Sequence, residues 1–184
     1  MKKILTVLLC MGLFSCVVSK VSKAENGEWT NKDWSASFRG GKVFYITHGS
    51  AVYGDEFGFF KAPGVCSSDT IWVTFSSAKD EVLNFIGKDV VFRFIVDGKS
   101  FKITLNMLTA EKFTEVTKVM MFTNSYAGDD LISILNKGKK LTLKIIEPKE
   151  LVKYLDIEDD EYSLNGFIAT RLKATAMCGA VILK

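Results

Sequence analysis

His48 is the only histidine in this 184-residue chain, which makes its chemistry the easiest to delimit. Serine and cysteine hydrolases commonly use a histidine as general base, so any such mechanism here has to run through His48. No Gly-x-Ser-x-Gly nucleophile elbow accompanies it. The other catalytic arrangement to consider is a carboxylate pair such as Asp55 with Glu56. We interpret His48 as a half-exposed residue at a strand end and predict that the protein is not an enzyme.

Two cysteines, Cys66 and Cys178, lie in the body of the chain, whereas the other two lie within the first 24 residues. A single pair in a protein that folds outside the cytoplasm indicates a disulfide bond. The alternative is that one of the pair is a nucleophile, but neither lies in a recognisable thiol-enzyme motif. We predict the Cys66–Cys178 disulfide.

The sequence offers no ligand set for a metal or another cofactor. One histidine and two paired cysteines cannot form a zinc site. The acidic run at 156–161 lacks the glycine and the glutamate that an EF-hand requires at its sixth and twelfth positions, where Glu161 and Phe167 stand. We interpret the run as a solvated loop, with a nonspecific cation site or a basic partner as the alternative.

An aromatic stretch interrupted by glycine, residues 57–64, precedes Cys66. Aromatic side chains on a loop are typical of protein-contact surfaces, so Phe57, Phe59 and Phe60 are candidate partner-binding residues. The alternative is an irregular strand whose aromatic rings enter the core near the disulfide.

Residues 1–24 have the organisation of a secretory signal peptide. Two lysines near the start precede an uncharged run over 4–18, and Ser22 and Ala24 are the small residues that a signal peptidase reads. The apolar run is shorter than the ~20 residues that a membrane-spanning helix needs. A lipoprotein signal ending at Cys16 is the alternative, although Phe14 fits that motif poorly.

Removal of the leader changes the charge balance. The whole chain has 24 Lys and Arg against 21 Asp and Glu, and the four leader lysines leave 20 basic residues in 25–184. No long basic stripe remains, so nucleic-acid binding loses its electrostatic support. We predict one β-rich domain, residues 25–184, in the periplasm or cell envelope, with a protein partner. It associates with the membrane only if Cys16 is lipidated.

The periodicity of the mature chain is mainly that of β-structure. Apolar and aromatic runs predict strands at 34–38, 43–47, 70–75, 116–122 and 141–146. The clearest unit is a hairpin in which residues 90–96 and 99–108 flank Asp97-Gly98. This dipeptide suits a type I′ turn, which requires positive φ at both central positions.

Two or three short helices are predicted near the C terminus. One begins at Gly128 or Asp129 and ends before Gly138, another covers about 149–155, and a last one covers about 165–177. For the last helix the spacing assigns an apolar face to Phe167, Ile168, Leu172 and Ala176. Because strands predominate and helices come late, we predict an antiparallel β-sandwich or partly closed barrel with these helices packed on it.

The C-terminal third resembles the ending of the invasion-associated locus B family. The shared pattern is a short helix closing in Leu-x-x-Gly, a strand, a Ser-Leu-x-Gly-Phe turn and a helix. The residues that carry it are Asp130, Leu131, Leu135, Gly138, Lys139, Leu141, Ser163, Leu164, Asn165, Gly166, Phe167 and Ala169, with Trp34 as an early tryptophan. The resemblance implies a periplasmic or envelope β-sandwich protein without established catalysis, linked in pathogens to host-cell entry. The chain departs from the family in having only two mature cysteines and an acidic insertion before Tyr162.

These observations favour a non-enzymatic periplasmic or envelope binding protein that aids host interaction. The alternative is an inhibitor or immunity protein that neutralises a periplasmic toxin or cell-wall hydrolase.

Overall fold

Ten antiparallel strands and three α-helices make up the part of the chain that the computed structural model describes, residues 27–51, 54–112, 118–122 and 126–182. The predicted signal peptide, with Cys16, lies outside these residues, as do positions 116–117 of one predicted strand. The strands are β1 Trp29–Asn31, β2 Trp34–Arg39, β3 Lys42–His48, β4 Glu56–Lys61, β5 Thr70–Ser77, β6 Asp89–Val96, β7 Lys99–Lys112, β8 Lys118–Phe122, β9 Lys140–Glu147 and β10 Asp159–Ser163. The helices are α1 Asp129–Lys137, α2 Lys149–Val152 and α3 Phe167–Ile182, with a 3₁₀ helix at Asp80–Phe85.

Hydrogen-bonded neighbours in the sheet are arranged in the order β1-β2-β3-β4-β5-β8-β7-β6-β9-β10. Strand β7 joins the two halves, because it pairs with β6 up to Asn106 and with β8 from Met107 onward. The register shifts between Met107 and Thr109, where the strand turns from one sheet into the other. The prediction of a mainly β, antiparallel sandwich or partly closed barrel with short helices is confirmed.

Aromatic side chains fill the space between the two sheets. Phe57 on β4 lies 5.8 Å from Phe94 on β6, and Phe75 on β5 lies 5.8 Å from Phe92, as ring-centroid distances. All four side chains are buried because alternate residues of each strand face inward. Edge-to-face and tilted contacts of this kind add to the free energy gained from burial alone.

The hairpin between β6 and β7 is confirmed. Val96 pairs with Lys99, and the two turn residues between them have φ of 46° at Asp97 and 86° at Gly98. This left-handed backbone is the conformation that a type I′ turn requires.

Replacement of Gly98 by valine is expected to destabilise the protein by about 1–2 kcal/mol, because a β-branched residue resists positive φ. Urea unfolding measures the loss. Gly98→Asn is the matched control and should cost less, since asparagine tolerates this backbone region. Coincident unfolding curves for Gly98→Val and the parent protein would contradict the turn assignment.

The helices match the prediction in number and order. Helix α1 begins after Gly128 and ends before Gly138, whereas α3 begins later than predicted and continues to Ile182. Cys178, which lies just beyond the predicted range of 165–177, is consequently inside α3. Strands β1 and β10 and the 3₁₀ helix were not predicted.

Candidate functional site

The aromatic stretch at 57–60 is a regular strand, β4, and not a binding loop. Phe57 and Phe59 are fully buried between the sheets. Phe60 faces the opposite side, where Phe44 and Lys42 cover it and leave 9% of it exposed. The interpretation of these three side chains as partner-binding residues is therefore wrong, because β4 pairs with strands on both sides and its rings pack within the domain.

The Cys66–Cys178 disulfide is present and joins the loop between β4 and β5 to helix α3. The disulfide closes the long chain segment between Cys66 and Cys178. The unfolded chain therefore loses much of its conformational freedom, and the folded state is stabilised relative to it. The bond fixes the C-terminal half of α3 to the β-structure.

A buried charge cluster lies beside the disulfide. The carboxylate of Asp69 forms ion pairs with Lys61, which is also buried, and with Arg171 of α3, whose guanidinium lies 2.7 Å away. The Tyr45 hydroxyl donates a hydrogen bond to the same carboxylate at 2.7 Å. The Lys61 ammonium also donates to the carbonyl of Cys66 at 3.0 Å. Strands β3 and β4, the loop before β5 and helix α3 are thus tied at one buried anion.

Burial and charge set the protonation of this cluster. Burial raises the pKa of Tyr45 well above its ordinary value, and the negative charge of Asp69 adds to the effect. Burial lowers the pKa of Lys61, and the ion pair with Asp69 opposes that change. Each polar group has a partner, so we assign the cluster a structural role: it anchors α3.

Helix α3 has one face in the core and one face in solvent. Phe167 packs on Trp34 at 5.0 Å between ring centroids, and Ala174 and Cys178 are fully buried. The predicted apolar face is wrong beyond Phe167, because Ile168 and Leu172 are 51% and 64% exposed. Both faces of the helix are apolar in composition, so spacing alone could not identify the inward one.

The exposed face is an apolar stripe along a little more than two turns of the helix. Ile168, Leu172 and Ala176 succeed one another at intervals of four residues, which places them in line on the helix surface. Lys173 is the charged residue beside them. We call Ile168, Leu172 and Ala176 the α3 stripe.

A groove of about 530 Å³ opens at the beginning of this stripe. The turn between β1 and β2, the end of α1 and the first turn of α3 form its walls. Its lining includes Lys32, Asn136, Lys139, Asn165 and Ile168.

A second cluster of polar residues lies where β10 meets the loop after β3. Gly49 pairs with Tyr162, and the amides of Ser50 and Ala51 each donate to Oδ1 of Asp160 at 2.9 Å. Asp160 is only 1% exposed. The interpretation of the acidic run as a solvated loop is therefore wrong at Asp160, which lies in a strand and faces inward.

Asp55 is the second buried carboxylate at this seam. Its Oδ1 accepts hydrogen bonds from the amide and the hydroxyl of Ser76, both at 2.8 Å. Burial raises the pKa of Asp55 to about 6, and the charge of Asp160 adds to the rise while the bonds from Ser76 oppose it.

The free energy of unfolding of Asp55→Asn, relative to that of the parent protein, is expected to increase as the pH rises. The pKa of Asp55 is higher in the folded than in the unfolded state, so its favourable contribution is lost when the pH passes through about 6. The difference in unfolding free energy between Asp55→Asn and parent should grow by about 2 kcal/mol from pH 4.5 to 7.5.

Urea unfolding in metal-free buffer across that range measures the difference. Asp159→Asn is the control, because it changes an exposed aspartate in the acidic run that contains Asp160. A free-energy difference for Asp55→Asn that stays constant from pH 4.5 to 7.5 would contradict the buried charge.

His48 is exposed at the end of β3, as its interpretation as a strand-end residue predicts. Among the residues that the structure describes, no three His, Cys, Asp or Glu side chains converge as a metal-binding group. None of the described helices has the length and apolar character to cross a lipid bilayer.

Comparison of the chain with protein-family models, with curated proteins and with solved structures found no match.

Sequence reasoning missed the buried charges. Residues 159–163 alternate in exposure, with Asp160 and Tyr162 inward, but the sequence Asp-Asp-Glu-Tyr-Ser has no alternation of apolar and polar residues that would indicate a strand. The pairing of Asp69 with Lys61 and Arg171 had no signal in the sequence either, because Arg171 is 102 residues away from Asp69 along the chain.

Proposed function

We propose that the protein is an exported, non-enzymatic binding protein whose contact surface is the α3 stripe. The observation that carries this proposal is the exposure of Leu172 and Ile168 on a helix that is fixed in place. An isolated exposed leucine is ordinary, but aligned apolar side chains beside a groove are typical of protein-contact surfaces.

The anchoring of α3 supports the same proposal. The disulfide and the Asp69 cluster hold the helix at two points, through Cys178 and Arg171. A contact surface that is rigid before binding loses less conformational entropy when a partner arrives. The partner would then present an apolar surface to Leu172 and a polar group to the groove.

The locus B resemblance adds an expectation about biology. Seven of the thirteen residues that carry it line the groove at the beginning of the stripe. Together with the signal-like first 24 residues, this favours a periplasmic or envelope protein that aids host interaction.

The alternative is an inhibitor or immunity protein acting on a periplasmic toxin or cell-wall hydrolase. Helix α3 is fixed by the disulfide and exposes apolar side chains, so it suits insertion into the cleft of a partner enzyme. A toxin gene next to this gene, or loss of hydrolase activity on addition of the purified protein, would favour the alternative.

Site-specific photo-cross-linking tests the surface. A photoreactive residue at Leu172 should give one discrete adduct in cells, and the same residue at Lys102, exposed on β7, should not. Equal labelling from both positions would contradict a contact surface on α3. Recovery of the mature protein from the cytoplasmic fraction would contradict export.

A further inference from the structure

Three buried oxygen atoms at the seam between β10 and the loop after β3 have no hydrogen-bond partner among the residues that the structure describes. They are Oδ2 of Asp55, Oδ2 of Asp160 and the hydroxyl of Tyr162. The three residues are at most 1% exposed. A buried polar atom without a partner costs free energy, so three in one place require an explanation.

Gly49 lies against all three residues. Its amide donates to the carbonyl of Asp55 at 2.9 Å, and its backbone pairs with that of Tyr162. A Cβ atom at this position would lie 1.8 Å from Oδ2 of Asp160, so only glycine leaves room for that oxygen. Asp160 and Asp55 are both close enough for their charges to act on the Tyr162 hydroxyl.

The seam carries negative charge without a counter-ion from the described residues. Neither Asp55 nor Asp160 forms an ion pair there, and the charge of Asp156 also acts on Asp55. Asp69 provides the contrast within the same molecule, since Lys61 and Arg171 neutralise it. Two buried carboxylates without a basic partner attract a cation.

We propose that Asp55, Asp160 and Tyr162 form a binding site for a small hard cation, of which Ca²⁺ is the best fit. All three donor atoms are oxygens, the ligand type that Ca²⁺ prefers, and two carboxylates match its charge. Ser50, Ala51 and Gly54 are exposed beside the cluster and provide the route to solvent, from which water completes the coordination. The bound ion ties β10 to the start of β4 and closes the seam.

Thermal unfolding in chelator-treated buffer tests the site. The parent protein is titrated with CaCl₂ from 0.05 to about 10 mM, a range set by the weak sites of extracellular proteins, with NaCl at matched ionic strength as the salt control. The parent Tm should rise in a saturable way, by about 3–5 °C at ten times the dissociation constant. Asp55→Asn should lose this rise, because its amide keeps an acceptor for Ser76 but removes a charge.

Asp159→Asn is the matched control. It changes an exposed aspartate of β10, the strand that contains Asp160, and it should keep the full Ca²⁺ response. Luminescence of Tb³⁺, a Ca²⁺ substitute, gives a readout independent of folding stability. Excitation of Tyr162 should sensitise the ion, and Tyr162→Phe should reduce the emission several-fold.

Two results would overturn the cation site. One is a parent Tm that does not change with Ca²⁺ beyond the effect of matched NaCl. The three buried oxygens would then be satisfied by water or by a shared proton instead of a cation. The other is an equal Ca²⁺ response in the parent and Asp55→Asn, which would place the bound ion elsewhere.

Discussion

Replacement of Asp69 by asparagine is expected to destabilise the folded protein by about 3–5 kcal/mol, the cost of removing one partner from a buried ion pair. The carboxylate receives the Lys61 ammonium, two nitrogens of Arg171 at 2.7 and 2.8 Å, and the hydroxyl of Tyr45. An asparagine of the same shape leaves the Lys61 charge in the core without compensation. Urea unfolding measures the loss.

Two further variants separate the charge effect from a general loss of packing. Asp159→Asn, at an exposed position, should change stability by no more than about 0.5 kcal/mol. Adding Lys61→Met to Asp69→Asn should recover part of the lost stability, because the uncompensated cation is then absent. Equal unfolding midpoints for Asp69→Asn and the parent would show that the cluster does not stabilise the fold.

Removal of the disulfide is expected to have the other large effect. The Cys66→Ser, Cys178→Ser double variant should be less stable than the parent by about 2–5 kcal/mol, the usual range for a small exported domain. Phe167 holds the N-terminal end of α3 against the β-structure, and the disulfide at Cys178 holds the C-terminal half. Loss of the disulfide should therefore first release the C-terminal turns of the helix. Thermal melts of the variant and of chemically reduced parent should agree.

Thiol labelling provides the chemical control. The purified protein should show no free thiol under denaturing, non-reducing conditions. Two titratable thiols would contradict the bridge and would restore the hypothesis of a reactive cysteine.

The features that could be predicted from the sequence are those with a local physical cause. The turn at Asp97-Gly98 is specified by two residues, and helix α1 by its flanking glycines and by Leu131, Ile132 and Leu135. The disulfide followed from counting, because the two cysteines that lie outside the first 24 residues allow one pairing.

The features that could not be predicted depend on contacts between distant segments. Phe57 and Phe59 are buried because β4 lies between β3 and β5, which their own neighbours in sequence do not reveal. The outward orientation of Leu172 follows from the docking of Phe167 on Trp34. Asp160 is buried because Ser50 and Ala51, more than 100 residues away, supply its donors.

The contact surface proposed on α3 is tested most directly by the affinity for the partner that cross-links to position 172. Leu172→Asp should weaken binding by about 30-fold or more, which corresponds to the loss of a central contact worth about 2 kcal/mol. Lys102→Glu, on the outer face of β7, should bind within threefold of the parent, about 0.6 kcal/mol. Binding of Leu172→Asp as tight as that of the parent would contradict the proposal that the α3 stripe is the contact surface.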